Sequence, residues 1–157
     1  MYPIRTSLSD TKDVTTPALA YLGDSVLEVC VRIYLVQERG LTTSARLNRA
    51  SLDFVRATAQ SEAMGYIEPH LTEAEAIVYR RGRNIGHTNV PKSASVQEYR
   101  RATGMEALFG HLYLTGQTDR ITALFRMGYR LDVTDACPTE ANVPANTETD
   151  TKEIIHT

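Results

Sequence analysis

The sequence predicts an all-α protein of about five main helices. Three observations carry this expectation. Apolar residues between Pro17 and Glu38 recur at helical spacing, and two Ser/Thr-x-x-Glu capping boxes each open a run that a glycine closes. Nowhere does apolar–polar alternation persist long enough to make a strand.

The stretch Pro17 to Glu38 reads as a helix of roughly six turns. Thr16 is the candidate N-cap, Pro17 suits the first helical position, and Gly40 lies just past the end. Leu19, Leu22, Val26, Val29, Ile33 and Val36 form one stripe, and Leu27, Val31 and Tyr34 a second. Such a helix is apolar nearly all round and is expected at the centre of the core. A second helix is expected from about Ala45 to Met64, with Thr43 or Ser44 as N-cap and Gly65 as its end. Its Leu47, Ala50, Phe54 and Ala57 share one side, while Arg46, Arg49, Asp53 and Arg56 share another that reads best as a solvated face.

The box Thr72-Glu-Ala-Glu75 opens a third helix, expected to reach Arg81 and stop at Gly82. Gly86 and Pro91 then mark a loop from Gly82 to Ser93. The box Ser95-Val-Gln-Glu98 opens a long helix to about Thr115, with Gly116 past its end, and a shorter one spans about Asp119 to Met127. Residues 1–14 read as a flexible lead-in and 15–131 as one domain. Residues 132–157, dominated by Pro, Thr, Asn and acids, read as a disordered acidic tail.

The net charge of −2 hides an asymmetry, because six acids and a single lysine fall in the tail. The body carries sixteen basic and thirteen acidic residues and is mildly basic. No apolar run approaches the ~18 residues of a membrane span. The N-terminus has no secretory pattern, and Cys30 and Cys137 lack both metal-ligand spacing and a framework partner. These features suit a cytoplasmic protein with free thiols.

Two groups of residues could carry chemistry. Asp24 and Glu28, one turn apart, and Glu106 on the long late helix are carboxylates in apolar, small-residue surroundings. Carboxylates on facing helices can hold Mg²⁺, which prefers oxygen ligands and supports phosphoryl chemistry. Backbone amides or arginines could equally satisfy them, and periodicity does not decide between the two. The second group is basic: Arg80, Arg81, Arg83, Asn84, Lys92 and Arg100, with Arg101 and His87 nearby. Not one acidic residue lies between Arg80 and Gln97. That is the electrostatic footprint of a phosphate backbone, and the lack of interleaved aromatics suits a duplex better than stacked single strands. A solvated loop is the plainer alternative. HExxH, paired CxxC, GxGxxG and P-loop motifs are all absent.

Several ordered segments, taken together, resemble ribonuclease III domains. Tyr21-Leu-Gly-Asp24-Ser-Val-Leu-Glu28 is similar to their signature, and Glu106-Ala-Leu-Phe-Gly110 to an element of their late catalytic helix. Arg80 to Asn84 (RRGRN), Pro91-Lys92 and Val96 to Arg100 (VQEYR) narrow the resemblance to the Mini-ribonuclease III form, which lacks a double-stranded-RNA-binding domain. It covers about Ala18 to Leu124. The resemblance implies a homodimeric, Mg²⁺-dependent endoribonuclease that cuts double-stranded RNA, specifically in maturation of the 23S ribosomal RNA precursor, aided in some cases by a large-subunit ribosomal protein. It implies Asp24 and Glu106 as metal-binding and catalytic residues, Glu28 in support or paired with Arg32, and Arg80, Arg81, Arg83, Asn84, Lys92 and Arg100 as RNA contacts. The alternative is a non-catalytic RNA-binding module on the same fold. Where longer relatives have further carboxylates, this sequence has Ala20 and Thr103. Met105 replaces a usual aromatic, Ile85-Gly86-His87 stands where a lysine is frequent, and Arg101 replaces a frequent tyrosine.

Overall fold

The computed structural model describes residues 7–86 and 92–132. His87 and Pro91, the first six residues and the expected disordered tail from 133 on, with Cys137, lie outside them. The described residues form six α-helices and no strand: α1 (Thr16–Ile33), α2 (Ser44–Val55), α3 (Ala57–Ile67), α4 (Glu73–Arg83), α5 (Val96–Leu114) and α6 (Thr118–Gly128). The all-α expectation therefore holds, with one more helix than expected.

The helix that the others surround is α5, not α1. From Ala102 to Gly110, every α5 residue except Glu106 is buried, and α1, α3, α4 and α6 all pack on it. Ala102, Gly104, Ala107 and Gly110 keep its surface low on several sides, so neighbours approach closely. A Cβ on Gly82 of α4 would stand 2.7 Å from the Gly104 Cα. Gly82 therefore lies within α4 as a crossing point rather than ending it.

The α1 helix is one-sided. Leu19, Val26, Leu27 and Val31 are buried, whereas Val29, Ile33 and Val36 are exposed. The stripe read as continuous thus splits between the core and the surface. Thr15, not Thr16, is the N-cap, its hydroxyl accepting from the Ala18 amide at 3.4 Å. A π-helical turn, Tyr34–Glu38, follows, and the chain turns at Gly40 with φ of 60°.

The expected single helix from Ala45 to Met64 is two. Arg56 takes an extended conformation (φ −67°, ψ 145°) that ends α2 and redirects α3 onto α5 and α6. No glycine or proline marks this break; tertiary packing imposes it. Gly65 sits inside α3, which continues to Ile67. Both capping boxes form as expected, Thr72 with Glu75 and Ser95 with Glu98, each with reciprocal side-chain bonds. Gly116, with φ of 75°, ends α5.

The second part of the expected loose lead-in is held in place. Within residues 7–14, the Leu8 amide donates to the Leu114 carbonyl at 2.8 Å, and the Thr11 hydroxyl lies 2.8 Å from His111 Nδ1. At the opposite end, the Tyr129 hydroxyl donates to the Phe54 carbonyl at 2.7 Å, pinning the end of α2 beneath α6.

Candidate active site

The site is built on the crossing of α1 over α5. A Cβ on Gly23 would overlap the Glu106 carbonyl oxygen and stand 2.8 Å from the Gly110 nitrogen; one on Gly110 would overlap the Leu19 carbonyl. Two glycines therefore let the backbones touch, and the residues beside them, Asp24 and Glu106, share one place. Asp24 is exposed and Glu106 half-buried. Asp24, expected in apolar surroundings, is instead reached by solvent, because α1 buries only the side that carries Leu19, Gly23, Val26 and Leu27.

The two carboxylates are electrostatically coupled. Burial, then the charge of Asp24, pushes the Glu106 carboxyl up to about 7, against a hydrogen bond from Gln60 that favours its ionised form. Partial burial, then Glu28, also raises Asp24. Glu28 itself accepts from Arg32 Nη2 at 2.6 Å and Nε at 2.9 Å, the intrahelical pairing anticipated as one of its two roles. Among the described residues no three acidic, His or Cys side chains form a metal-holding group. Two hard carboxylate oxygens that repel each other nevertheless suit Mg²⁺, which is held by one or two carboxylates and keeps several waters.

Beside Glu106 opens a pocket of about 520 Å³, lined by Arg56, Thr58, Gln60, Tyr99 and Thr103 among others. Thr103, at the position of a missing carboxylate, donates its hydroxyl to the Tyr99 carbonyl at 3.0 Å. Gln60 went unmarked in the sequence because one amide in an alanine-rich helix carries no periodic signal. Its position one turn beyond the break at Arg56, which the sequence hides, gives it its place.

The expected RNA contacts divide. Arg80, Arg81, Asn84, Lys92 and Arg100 are exposed. Arg80, Arg81 and Arg83 belong to the last turn of α4, which takes in Arg83 from the expected loop. Arg83 is half-buried, its guanidinium 5.6 Å from the Tyr79 ring centre and 3.9 Å from Glu68. Arg101 also reaches Glu68, at 3.4 Å. The segment that is acid-free in sequence thus meets an acid in space. A second basic concavity of about 450 Å³ gathers Arg39, Arg46, Arg49 and Arg56 around Leu41 and Asp53. None of these four arginines makes an ion pair among the described residues. Arg56 lines this concavity and the Glu106 pocket alike. The helix face read as merely solvated is therefore continuous with the site.

Further round α1, Val29 is 54% exposed. It lines a largely apolar groove of about 340 Å³ together with Leu22, Val26, Cys30, Tyr113 and Ile121. Cys30 is free and half-buried, and burial pushes its thiol up to about 11, so it is not a reactive thiolate. No helix among the described residues is long and apolar enough to cross a membrane.

The Ribonuclease III domain family matches residues 17–117. A Mini-ribonuclease 3 of Symbiobacterium thermophilum is 46% identical over 108 residues, covering 69% of this chain and 82% of the relative. Another, from Clostridium tetani, is 36% identical over 118 residues, covering 75% of this chain and 78% of the relative. A crystallised protein of Fusobacterium nucleatum superposes with a TM-score of 0.70 at 28% identity, over 80% of this chain and the whole of that one.

Proposed function

The chain belongs to the ribonuclease III family, in its Mini-ribonuclease 3 group, and is an endoribonuclease; from that premise we propose that it is a Mg²⁺-dependent homodimer that cleaves double-stranded RNA of the 23S ribosomal RNA precursor in the cytoplasm. The observation that carries this reading is the glycine crossing, which sets two mutually repelling carboxylates at one solvent-reached place. Asp24 and Glu106 would hold the cation. When bound, it supplies positive charge against the phosphoryl oxygens and lowers the pKa of nearby water.

This chain's own residues do the rest. Arg80, Arg81, Asn84, Lys92 and Arg100, exposed and without an ion pair among the described residues, meet backbone phosphates, and Arg83 can exchange Glu68 for a phosphate. The Arg39–Arg56 concavity supplies further positive charge next to the Glu106 pocket. These surfaces provide affinity for the duplex, aided by a large-subunit ribosomal protein where they do not suffice. The exposed apolar face of α1 supports the homodimer, since a two-fold interface needs one self-complementary patch. Two copies then present two sites, one for each strand of the duplex.

The test is cleavage of a 23S-precursor stem with Mg²⁺ and with EDTA, by wild type, Asp24→Asn and Glu106→Gln. Metal-dependent cuts in both strands, lost in both variants, are expected. Wild-type cleavage by either variant would remove that residue from the site, and RNA that is bound but left intact would overturn the reading.

A further inference from the structure

Gln60, on α3, is only 3% exposed. Its side-chain nitrogen donates to the carbonyl of Val55, the last residue of α2, at 3.0 Å, and to Glu106 Oε1 at 3.5 Å. Both partners are acceptors, so the amide nitrogen must face them and a flipped amide would set three oxygens together. The price of that orientation is visible, because Gln60 Oε1 is buried with no hydrogen-bond partner among the described residues. A methionine or leucine would fill the same space without a buried amide oxygen, but would take this donor from the Val55 carbonyl and from Glu106. The position therefore supplies N–H groups, one to the broken helix end and one to the carboxylate. Among the described residues Gln60 is the sole hydrogen-bond partner of the Glu106 side chain. Thr103, one turn before Glu106 on α5, directs its hydroxyl to Tyr99 instead.

We propose that Gln60 is a positioning residue: its amide holds one oxygen of Glu106 so that the other is presented to the divalent cation. The inference rests on the reading of Asp24 and Glu106 as cation ligands. It gives the break at Arg56 a function, because that break places α3, and Gln60 with it, over Glu106. It also explains how the site works with threonine where longer relatives carry an acid. The orienting contact comes from a neighbouring helix rather than from a further carboxylate on α5. Partners that orient a ligand in this way typically contribute ten-fold or more to metal affinity, and such contacts shorten when the ion is in place.

The test uses Mn²⁺ as the probe, its binding followed by electron paramagnetic resonance on the full chain without RNA. Wild type, Gln60→Met and Glu106→Gln are compared, with thermal unfolding of each metal-free protein alongside. Gln60→Met is expected to raise the Mn²⁺ dissociation constant about ten-fold, and Glu106→Gln to abolish site binding. A Gln60→Met protein that melts earlier yet binds Mn²⁺ as wild type does would make Gln60 a helix cap only and overturn the proposal. Mn²⁺ binding indifferent to Glu106→Gln would overturn the underlying site reading as well, so the two failures are distinguishable. Should Gln60→Met not fold, the side-chain amide signals of Gln60 in the wild-type nuclear magnetic resonance spectrum decide. They are expected to move on addition of Mg²⁺, and to stay still in Glu106→Gln. Signals that Mg²⁺ leaves unmoved in wild type refute the contact.

Discussion

Gly23→Ala is the sharpest perturbation of the α1–α5 crossing. The new methyl would overlap the Glu106 carbonyl and stand 2.8 Å from the Gly110 nitrogen, both backbone atoms that no rotamer can move. Ordinary contact at ~3.5 Å or more with that carbonyl requires the helices to part locally by ~2 Å. A gap of that size forfeits about half or more of the dispersion contacts across it. Leu19, Val26 and Leu27, all buried on the same helix, each contribute about 1.5–3 kcal/mol by burial, so together they lose roughly 2–4 kcal/mol. Alanine regains ~1 kcal/mol in helix propensity. The net loss is about 1–3 kcal/mol, a fall in Tm of roughly 4–12 °C for a domain of this size. The control is Gly65→Ala, also within a helix, whose new methyl meets only the Arg101 guanidinium at 3.8 Å. It is expected to gain about 0.5–1 kcal/mol. Urea unfolding at one fixed protein concentration measures both. A Gly23→Ala protein within ~0.5 kcal/mol of wild type, or two variants that behave alike, would refute the close crossing.

Other outcomes follow from the same geometry. Glu106 has a folded-state pKa of about 7, above its ordinary 4.5, so its protonated form favours folding. That contribution, at most ~3 kcal/mol, is full below pH 4.5 and disappears as pH rises through 7. In EDTA, urea unfolding from pH 5 to 8 should show this decline in wild type and lose it in Glu106→Gln. Arg120 lies 2.8 Å from the buried carboxylate of Glu75, whose pKa it holds down. Arg120→Ala should cost about 2–4 kcal/mol at pH 7, and its deficit should shrink as pH falls and the Glu75 contribution in wild type is lost. The Arg81→Ala, Arg83→Ala double variant should weaken duplex binding and flatten the slope of log K against log[salt] by roughly 1–2, read by titration at several salt concentrations. Val29→Asp, on the exposed face of α1, should yield monomers in sedimentation equilibrium while circular dichroism keeps its helical signal.

Much of this molecule was decided locally. Thr72 and Ser95 cap their helices because each needs only its own box of four residues, and Gly116 turns the chain wherever the helix lies. The pairing of a short LGD-containing stretch with a late Glu106-Ala-Leu-Phe-Gly110 stretch was likewise legible, since the glycines that permit the crossing lie beside the carboxylates it serves. Tertiary structure alone decided which helix is central. By apolar count α1 outranks α5, yet α5 has the small residues that admit four neighbours, and contact is limited by how closely backbones can approach. The same packing left half of α1 exposed and broke a helix at Arg56, where neither residue type nor period gives a sign. From that break came Gln60 over Glu106 and Arg56 at the rim of the pocket. A single amide and a single arginine acquire meaning only from what stands opposite them, and no spacing along the chain records that.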